Sequence, residues 1–293
     1  MTKISVIINT WNEEENIKRC LESVRRIADE IIVVDMHSKD RTAAIAKKFG
    51  AKVFSYKYTS YVEPARNFAL AKAKGDWILI LDADEEISED LAKILQELTP
   101  HKEINFYRLP RKNIIFGKWV KHSRWWPDYN IRFFKKGSVR WSEKIHSVPL
   151  TRGDGRDIEA KEINAIIHYH YKSISQYLER LNRYTEIQAK ELIDNNYQFN
   201  WSDLIRKPMG EFLSRFFVGE SYKDGLHGLA LALLQAFSEL TKYLKVWESE
   251  KFVEHDITGY HELFEENIND YLHWQGKSSG LIRKIRLKIK KKI

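Results

Sequence analysis

Two aspartates stand one residue apart at the end of an apolar run, Ile78-Leu79-Ile80-Leu81-Asp82-Ala83-Asp84, and Glu85 follows at once. Carboxylate oxygens are hard donors, and a pair of them beside a dry sheet suits a divalent cation that carries a phosphorylated ligand. Four apolar residues bounded by charge read as a strand buried on both faces, the pattern of a parallel sheet. Side chains alternate across a strand, so Asp82 and Asp84 face the same way if the extended geometry continues. Ligands of open parallel sheets bind just beyond the carboxyl ends of the strands, where this pair falls.

Three more polar segments follow apolar runs in the same manner: Asn9-Thr10-Trp11-Asn12-Glu13-Glu14, Asp35-Met36-His37-Ser38-Lys39-Asp40-Arg41-Thr42 and Glu63-Pro64-Ala65-Arg66-Asn67. The elements that must position them alternate. Strands are predicted over 3–9, 30–35, 52–56 and 77–81, and helices over 13–26, 42–49, 65–73 and 88–98. Gly50 stops the second helix and Ser88 caps the fourth. This order predicts an α/β fold built on a mostly parallel, doubly wound sheet. Parallel neighbours present their carboxyl ends at one edge, so the four polar segments converge on one ligand.

From 105 to 170 the chain changes to short β-like runs (105–108, 129–134 and 165–171) rich in aromatic and basic residues. Beyond 173 it reads as helical, over 173–195, 203–219 and 225–247. The stretch 228–237 is apolar nearly all round and predicts a buried helix; a membrane interface or a second subunit are the alternatives. His168 and His170 alternate on a strand and read as structural.

The segments TWNEEENI, EIIVVDMHSKDRT and PARNFALAKAKGDWILILDADE, with their spacing, resemble the family 2 glycosyltransferases over residues 3 to about 98. The resemblance implies a GT-A fold and a nucleotide-sugar donor, with uridine diphosphate the family-level expectation. Thr10, Asn12 and Glu14 would contact the nucleoside, Asp35 its base or ribose, and Arg66 the base or the phosphates. Asp82 would lie near ribose and metal, and Asp84 would ligate Mg²⁺ or Mn²⁺ at the diphosphate. An inverting transferase also needs a base for the acceptor hydroxyl. The stretch Trp125-Trp126-Pro127-Asp128-Tyr129-Asn130-Ile131-Arg132 is similar to an element of the lipopolysaccharide-core glucosyltransferases of this family. It makes Asp128 the base candidate, with a salt bridge to Arg132 or Arg124 as the alternative, and places Trp126 and Arg132 at the substrate. Val139-Arg140-Trp141-Ser142-Glu143-Lys144-Ile145-His146 is similar to a second family element, with His146 as a metal ligand or a hydrogen-bond donor to the leaving phosphate, a structural histidine being the alternative, and Glu143 as an alternative base. Trp119, Trp125, Trp126 and Trp141 suit sugar stacking or core packing. Residues 1–172 are thus the expected catalytic domain, with 1–100 the donor half and 101–172 the acceptor half; 173–293 form a helical region.

Composition narrows the setting. The 293 residues include one cysteine, Cys20, which excludes a disulfide within the chain and points to a reducing cytosol. Ile17, Leu21 and Val24 share its helix face, so a buried structural thiol is expected. A mean hydropathy of -0.50 and the lack of a long apolar window argue against a membrane-spanning helix. The start of the chain leads straight into a strand pattern and carries no signal-peptide architecture. The net charge of +8 concentrates at 282–293, where isoleucines at 282, 285, 289 and 293 recur at helical spacing among lysines and arginines. Such a helix favours an anionic membrane surface over a solvated tail or nucleic acid. The expectation is a hexosyltransferase acting on a lipid-linked or lipopolysaccharide-core glycan at the cytoplasmic membrane face, peripheral rather than spanning. A nucleotidyltransferase would carry a basic, Gly-rich loop after the first strand, where Thr10 to Glu14 are acidic. A sugar-binding protein of this fold without activity is the alternative from another class.

Overall fold

The structure, a computed structural model, describes residues 2–59, 62–141 and 149–278. The first hundred residues alternate as β1 (Ile4–Thr10), α1 (Ile17–Val24), β2 (Glu30–Asp35), α2 (Thr42–Lys48), β3 (Lys52–Ser55), α3 (Glu63–Lys72), β4 (Trp77–Asp82), β5 (Glu85–Glu86) and α4 (Glu89–Leu98). Ser88 caps α4, its hydroxyl accepting the Leu91 N–H at 3.1 Å. Helix α1 starts four residues later than the apolar spacing predicts. The N–H groups of Glu13 and Glu14 are drawn to Thr42 Oγ1 (2.8 Å) and Asp40 Oδ2 (3.1 Å), so the segment forms a turn against the next loop.

Strands follow as β6 (Ile104–Leu109), β7 (Arg111–Ile115), β8 (Lys118–Trp119), β9 (Asn130–Lys135), β10 (Val139–Arg140), β11 (Leu150–Thr151), β12 (Asp154–Asp157) and β13 (Ile166–Tyr171). The main sheet has the order β12-β6-β9-β4-β1-β2-β3. Strand β1 lies parallel between β2 and β4, and β3 parallel to β2, while β9 runs antiparallel to β4 and β6. All seven residues of β1 are buried, as a central strand requires. One face carries α1, α2 and α4 through Ile17, Leu21, Ala46, Leu91 and Leu95; the other carries α3 through Ala65, Ala69 and Ala73. A second, small sheet pairs β5 antiparallel with β13, matching Glu85 to His168.

The chain divides into two compact units, one of Met1–Ile114 with Trp126–His170, the other of Ile115–Trp125 with Tyr171–Ile293. Residues 115–125, expected with the α/β part, therefore belong with the helices. Val120 packs there with Tyr177, Leu181 and Leu231, and the buried Asp224 carboxylate accepts the His122 N–H at 2.9 Å. The second unit holds α5 (Ile174–Asp194), α6 (Asp203–Leu213), α7 (Leu226–Ser249) and α8 (Tyr260–Ser278). Helix α6 stops short of the expected 219 because Ser214–Val218 widen into a π-turn. Helix α7 packs against α5 and α6. It is not buried all round: Leu231 and Ala232 face inward, while Leu233 is 53% and Phe237 48% exposed. Among the described residues, no helix is long and apolar enough to cross a membrane. The basic tail lies outside them.

Candidate active site

Strand β4 ends at Asp82, and a turn at Ala83–Asp84 leads directly into β5. The extended geometry does not continue, so the two aspartates diverge rather than share a face. The cause is the second sheet: the Tyr169 N–H donates to the Asp84 carbonyl at 2.9 Å and draws the chain towards β13.

Asp82 turns to two guanidinium groups. Arg66 Nη2, from α3, lies 3.0 Å away, and Arg132 Nη2, from β9, 2.6 Å away. Arg132 is only 3% exposed, and its Nη2 also donates to Glu85 Oε1 at 2.7 Å. Glu85, fully buried, accepts the Asp82 N–H on its other oxygen at 2.9 Å. Burial by itself raises the pKa of the Asp82 carboxyl, but the Arg132 and Arg66 charges overcome it and hold the group well below the usual carboxylate range. Burial works the other way on Arg132, and Asp82 and Glu85 together hold its pKa above the ordinary guanidinium value. Arg132, expected at the substrate, is thus an internal counter-ion. Behind this cluster lies Cys20, buried, with Sγ 3.6 Å from the Asp82 carbonyl; burial pushes its thiol pKa well up, as suits a structural residue.

Asp128 pairs with neither arginine expected of it. Arg111, at the start of β7, reaches Asp128 Oδ2 with Nη2 (2.7 Å) and Nε (2.9 Å), and extends Nη1 to Glu85 at 3.3 Å. Asn113 Nδ2 donates to the same Asp128 oxygen at 2.8 Å, while Oδ1 meets Asn130 Nδ2 at 3.3 Å. Asp128 also adopts φ +36°, in the left-handed region that non-glycine residues enter at a cost. Behind Asn113, its Oδ1 lies 2.6 Å from His168 Nδ1, and His168 Nε2 lies 3.6 Å from Asp84 Oδ2. One continuous polar chain therefore joins Arg66, Asp82, Arg132, Glu85, Arg111, Asp128, Asn113, His168 and Asp84.

The loops after β1 and β2 support this edge. Asn12 (φ +53°) and His37 (φ +60°) make the tight bends there. Asn12 Oδ1 accepts the Lys39 N–H at 2.7 Å. Glu14 Oε2 accepts both the N–H and Nε of Arg41 at 3.0 Å, and this backbone bond, with the side chain's, lowers the carboxyl pKa. Asn12 and Glu14 thus tie the two loops together. Asp35, buried, accepts the Ser38 N–H at 3.2 Å. Among the described residues, Thr10 Oγ1 and both amide atoms of Asn9 are buried without a hydrogen-bond partner, and Asn9 stands in register with Asp82. Buried polar atoms left unpaired at a strand end are places where a ligand supplies the partner.

Glu143 and His146 lie outside the described residues. Trp126 is half-buried before a cis bond to Pro127, and Trp141 is a core residue, 4% exposed and 5.8 Å from the Phe134 ring. Among the described residues, no group of three His, Cys, Asp or Glu side chains is arranged to hold a metal. Asp82, expected as a ligand beside Asp84, is engaged by its two arginines. Within this network, Asp84 Oδ2 and His168 Nε2 bring a carboxylate oxygen and an imidazole nitrogen to 3.6 Å. His168, expected as structural, joins this polar network through Asn113; its placement opposite Glu85 follows from strand pairing, which its own sequence context does not encode. Glu85 was visible as the third carboxylate of the opening run, whereas nothing in the sequence distinguishes Arg111 or Asn113.

Residues 5–151 match the family model described as glycosyl transferase family 2. The chain belongs to glycosyltransferase family 2. Its sheet and flanking helices are those of a GT-A fold. An uncharacterized glycosyltransferase of Rickettsia typhi is 32% identical over 85% of this chain and 88% of its own length. The lipopolysaccharide core biosynthesis glycosyltransferase LpsC of Rhizobium meliloti is 25% identical over 84% of this chain and 92% of its own. Among solved structures, a glucosyl-3-phosphoglycerate synthase from Mycobacterium tuberculosis, in complex with Mg²⁺ and uridine diphosphate, aligns at 25% identity and a TM-score of 0.33. That alignment covers 40% of this chain and 44% of that one.

Proposed function

We propose that this family 2 glycosyltransferase moves a hexose, with inversion, from a nucleoside diphosphate sugar to a lipid-linked or lipopolysaccharide-core-type glycan. Uridine diphosphate is the expected carrier and glucose the expected sugar. The observation that supports this reading is the polar chain between Asp84 and Asp128, which links the proposed cation ligand to the base candidate. The resemblance of the acceptor element to lipopolysaccharide-core enzymes, and the printed name of the LpsC relative, support the acceptor class.

Asp84 and His168 would hold Mg²⁺ or Mn²⁺, a carboxylate oxygen and an imidazole nitrogen being a donor set that Mn²⁺ accepts. When bound, the ion neutralises charge on the departing diphosphate. Arg66 stands ready at the same edge to take a phosphate or the base, since its contact with Asp82 is made through Nη2 alone among the described residues. Asp128 accepts the acceptor's proton through Oδ1, the oxygen that Arg111 does not hold. Arg111 and Asn113 fix its orientation. Thr10, Asn9 and Asp35 lie where the nucleoside would sit.

Thermal unfolding with uridine diphosphate and Mn²⁺, each alone and together, tests the donor half, because a ligand that binds only the folded state raises its melting temperature. Stabilisation that needs both is the expected result; no shift with any nucleoside diphosphate overturns the donor assignment. Asp128→Asn keeps the contacts of Oδ2 but removes the base. Turnover should fall about 10²-fold or more with donor affinity unchanged. Unaltered turnover would transfer the role to another carboxylate, Glu143 first. The tail 282–293 is proposed to attach the enzyme to anionic lipid, each basic residue near the surface contributing about 1 kcal/mol. Its removal should release the protein from phosphatidylserine vesicles, and undiminished binding refutes the anchor.

A further inference from the structure

Asn113 lies on β7, fully buried, between the two ends of the site. Its Nδ2 is 2.8 Å from Asp128 Oδ2, and its Oδ1 is 2.6 Å from His168 Nδ1. A carboxylate that receives a guanidinium can only accept hydrogen bonds, and Arg111 supplies that guanidinium at 2.7 Å. The amide nitrogen of Asn113 must therefore face Asp128, which turns its carbonyl oxygen to His168. That oxygen also only accepts. Two lone pairs at 2.6 Å would repel, so the intervening proton belongs to His168 Nδ1. His170 Nδ1 stands 3.3 Å from the same atom, farther than the 2.6 Å of the Asn113 contact. A ring held at Nδ1 presents Nε2 on its other side. Nε2 is the atom that lies 3.6 Å from Asp84 Oδ2.

We propose that Asn113 is a positioning residue that couples the two halves of the site. Its amide N–H holds Asp128, its amide oxygen accepts the His168 Nδ1–H, and His168 Nε2 is thereby turned towards Asp84. The catalytic consequence rests on the reading of Asp84 and Asp128 given above, whereas the hydrogen bond between Asn113 and His168 is a property of the fold. An imidazole that offers one nitrogen to a metal needs its other N–H held by an oxygen, and such support is worth about 10–100-fold in metal affinity or activity. Asn is the side chain that can do this here. It presents a donor to the accept-only carboxylate and an acceptor to the ring, and its planar amide cannot reverse one end without the other.

The decisive measurement is the nitrogen spectrum of the full chain labelled with ¹⁵N-histidine at about pH 8, where an ordinary imidazole is neutral. His168 is identified by the signals that vanish in His168→Gln. The expected result is a ring that carries a proton on Nδ1. A wild-type ring protonated at Nε2 alone overturns the proposal. In Asn113→Leu, of similar size but without either polar atom, the Nε2–H form should appear; an unchanged Nδ1–H signal in the folded variant also overturns it. Should that variant fail to fold, the wild-type spectrum still decides. A ring in the expected tautomer in a protein that transfers no sugar would count against the functional reading and leave the coupling intact.

Discussion

Asp84→Ala should abolish sugar transfer and make nucleotide binding indifferent to Mn²⁺. Asp84 is nearly buried, and its Oδ2 faces His168 Nε2, so the variant removes one of the two groups placed to hold the ion. Loss of a transition-state countercharge of this kind lowers turnover by about 10³-fold. The fold should survive, because the contact that anchors this turn is the Asp84 backbone carbonyl with the Tyr169 N–H, which alanine retains. Steady-state rates with the nucleotide sugar, and thermal shifts with uridine diphosphate in the presence and absence of Mn²⁺, read the two effects separately. Activity within tenfold of the wild type would remove Asp84 from the metal site.

Arg132→Leu should be the most destabilising single change in the site. The side chain is buried between Asp82 and Glu85, at 2.6 and 2.7 Å, and Glu85 has no exposure of its own. Removing one partner of a buried ion cluster leaves carboxylates without their countercharge, a loss of about 3–5 kcal/mol. Arg66 and Arg111 limit the damage, since each keeps a contact to one of the two carboxylates. Urea denaturation at neutral pH measures the difference. The acid limb carries a second signature, because the folded pKa of Asp82 is depressed. Its contribution is in place above the unfolded aspartate's pKa, about 3.9, and is lost as pH falls from there towards the lower folded value. Without Arg132 the carboxyl titrates nearer its ordinary range, so this contribution shrinks and the wild-type advantage fades on acidification. A loss below about 1 kcal/mol at neutral pH would show that Arg132 is not the counter-ion that holds this edge together.

The segments proposed to bind the donor are legible because they follow strands whose order is written in local patterns. The apolar run before Asp82, the turn residues after β1 and β2, and Arg66 on an amphipathic segment each carry a signal within a few neighbours. Where prediction and structure part, the cause is non-local. Asp82 and Asp84 were expected on one face, yet β5 pairs with β13 some eighty residues on, and that pairing turns Asp84 away towards His168. Arg132 read as a substrate contact, since nothing nearby reveals that Glu85 will bury it. Trp141 read equally as a sugar platform or a core residue, and packing against Phe134 decides for the core.

The α/β architecture, the family and the edge of the sheet at which chemistry is expected are readable along the chain, because strand and helix periodicity and the polar strand ends are properties of neighbouring residues. Which charges pair at that edge depends on contacts between distant segments. Arg111, Asn113 and His168 reach the site from β7 and β13 by cross-strand register, and hydrogen-bond polarity among side chains distant in sequence then sets which atom of each faces Asp84 and Asp128.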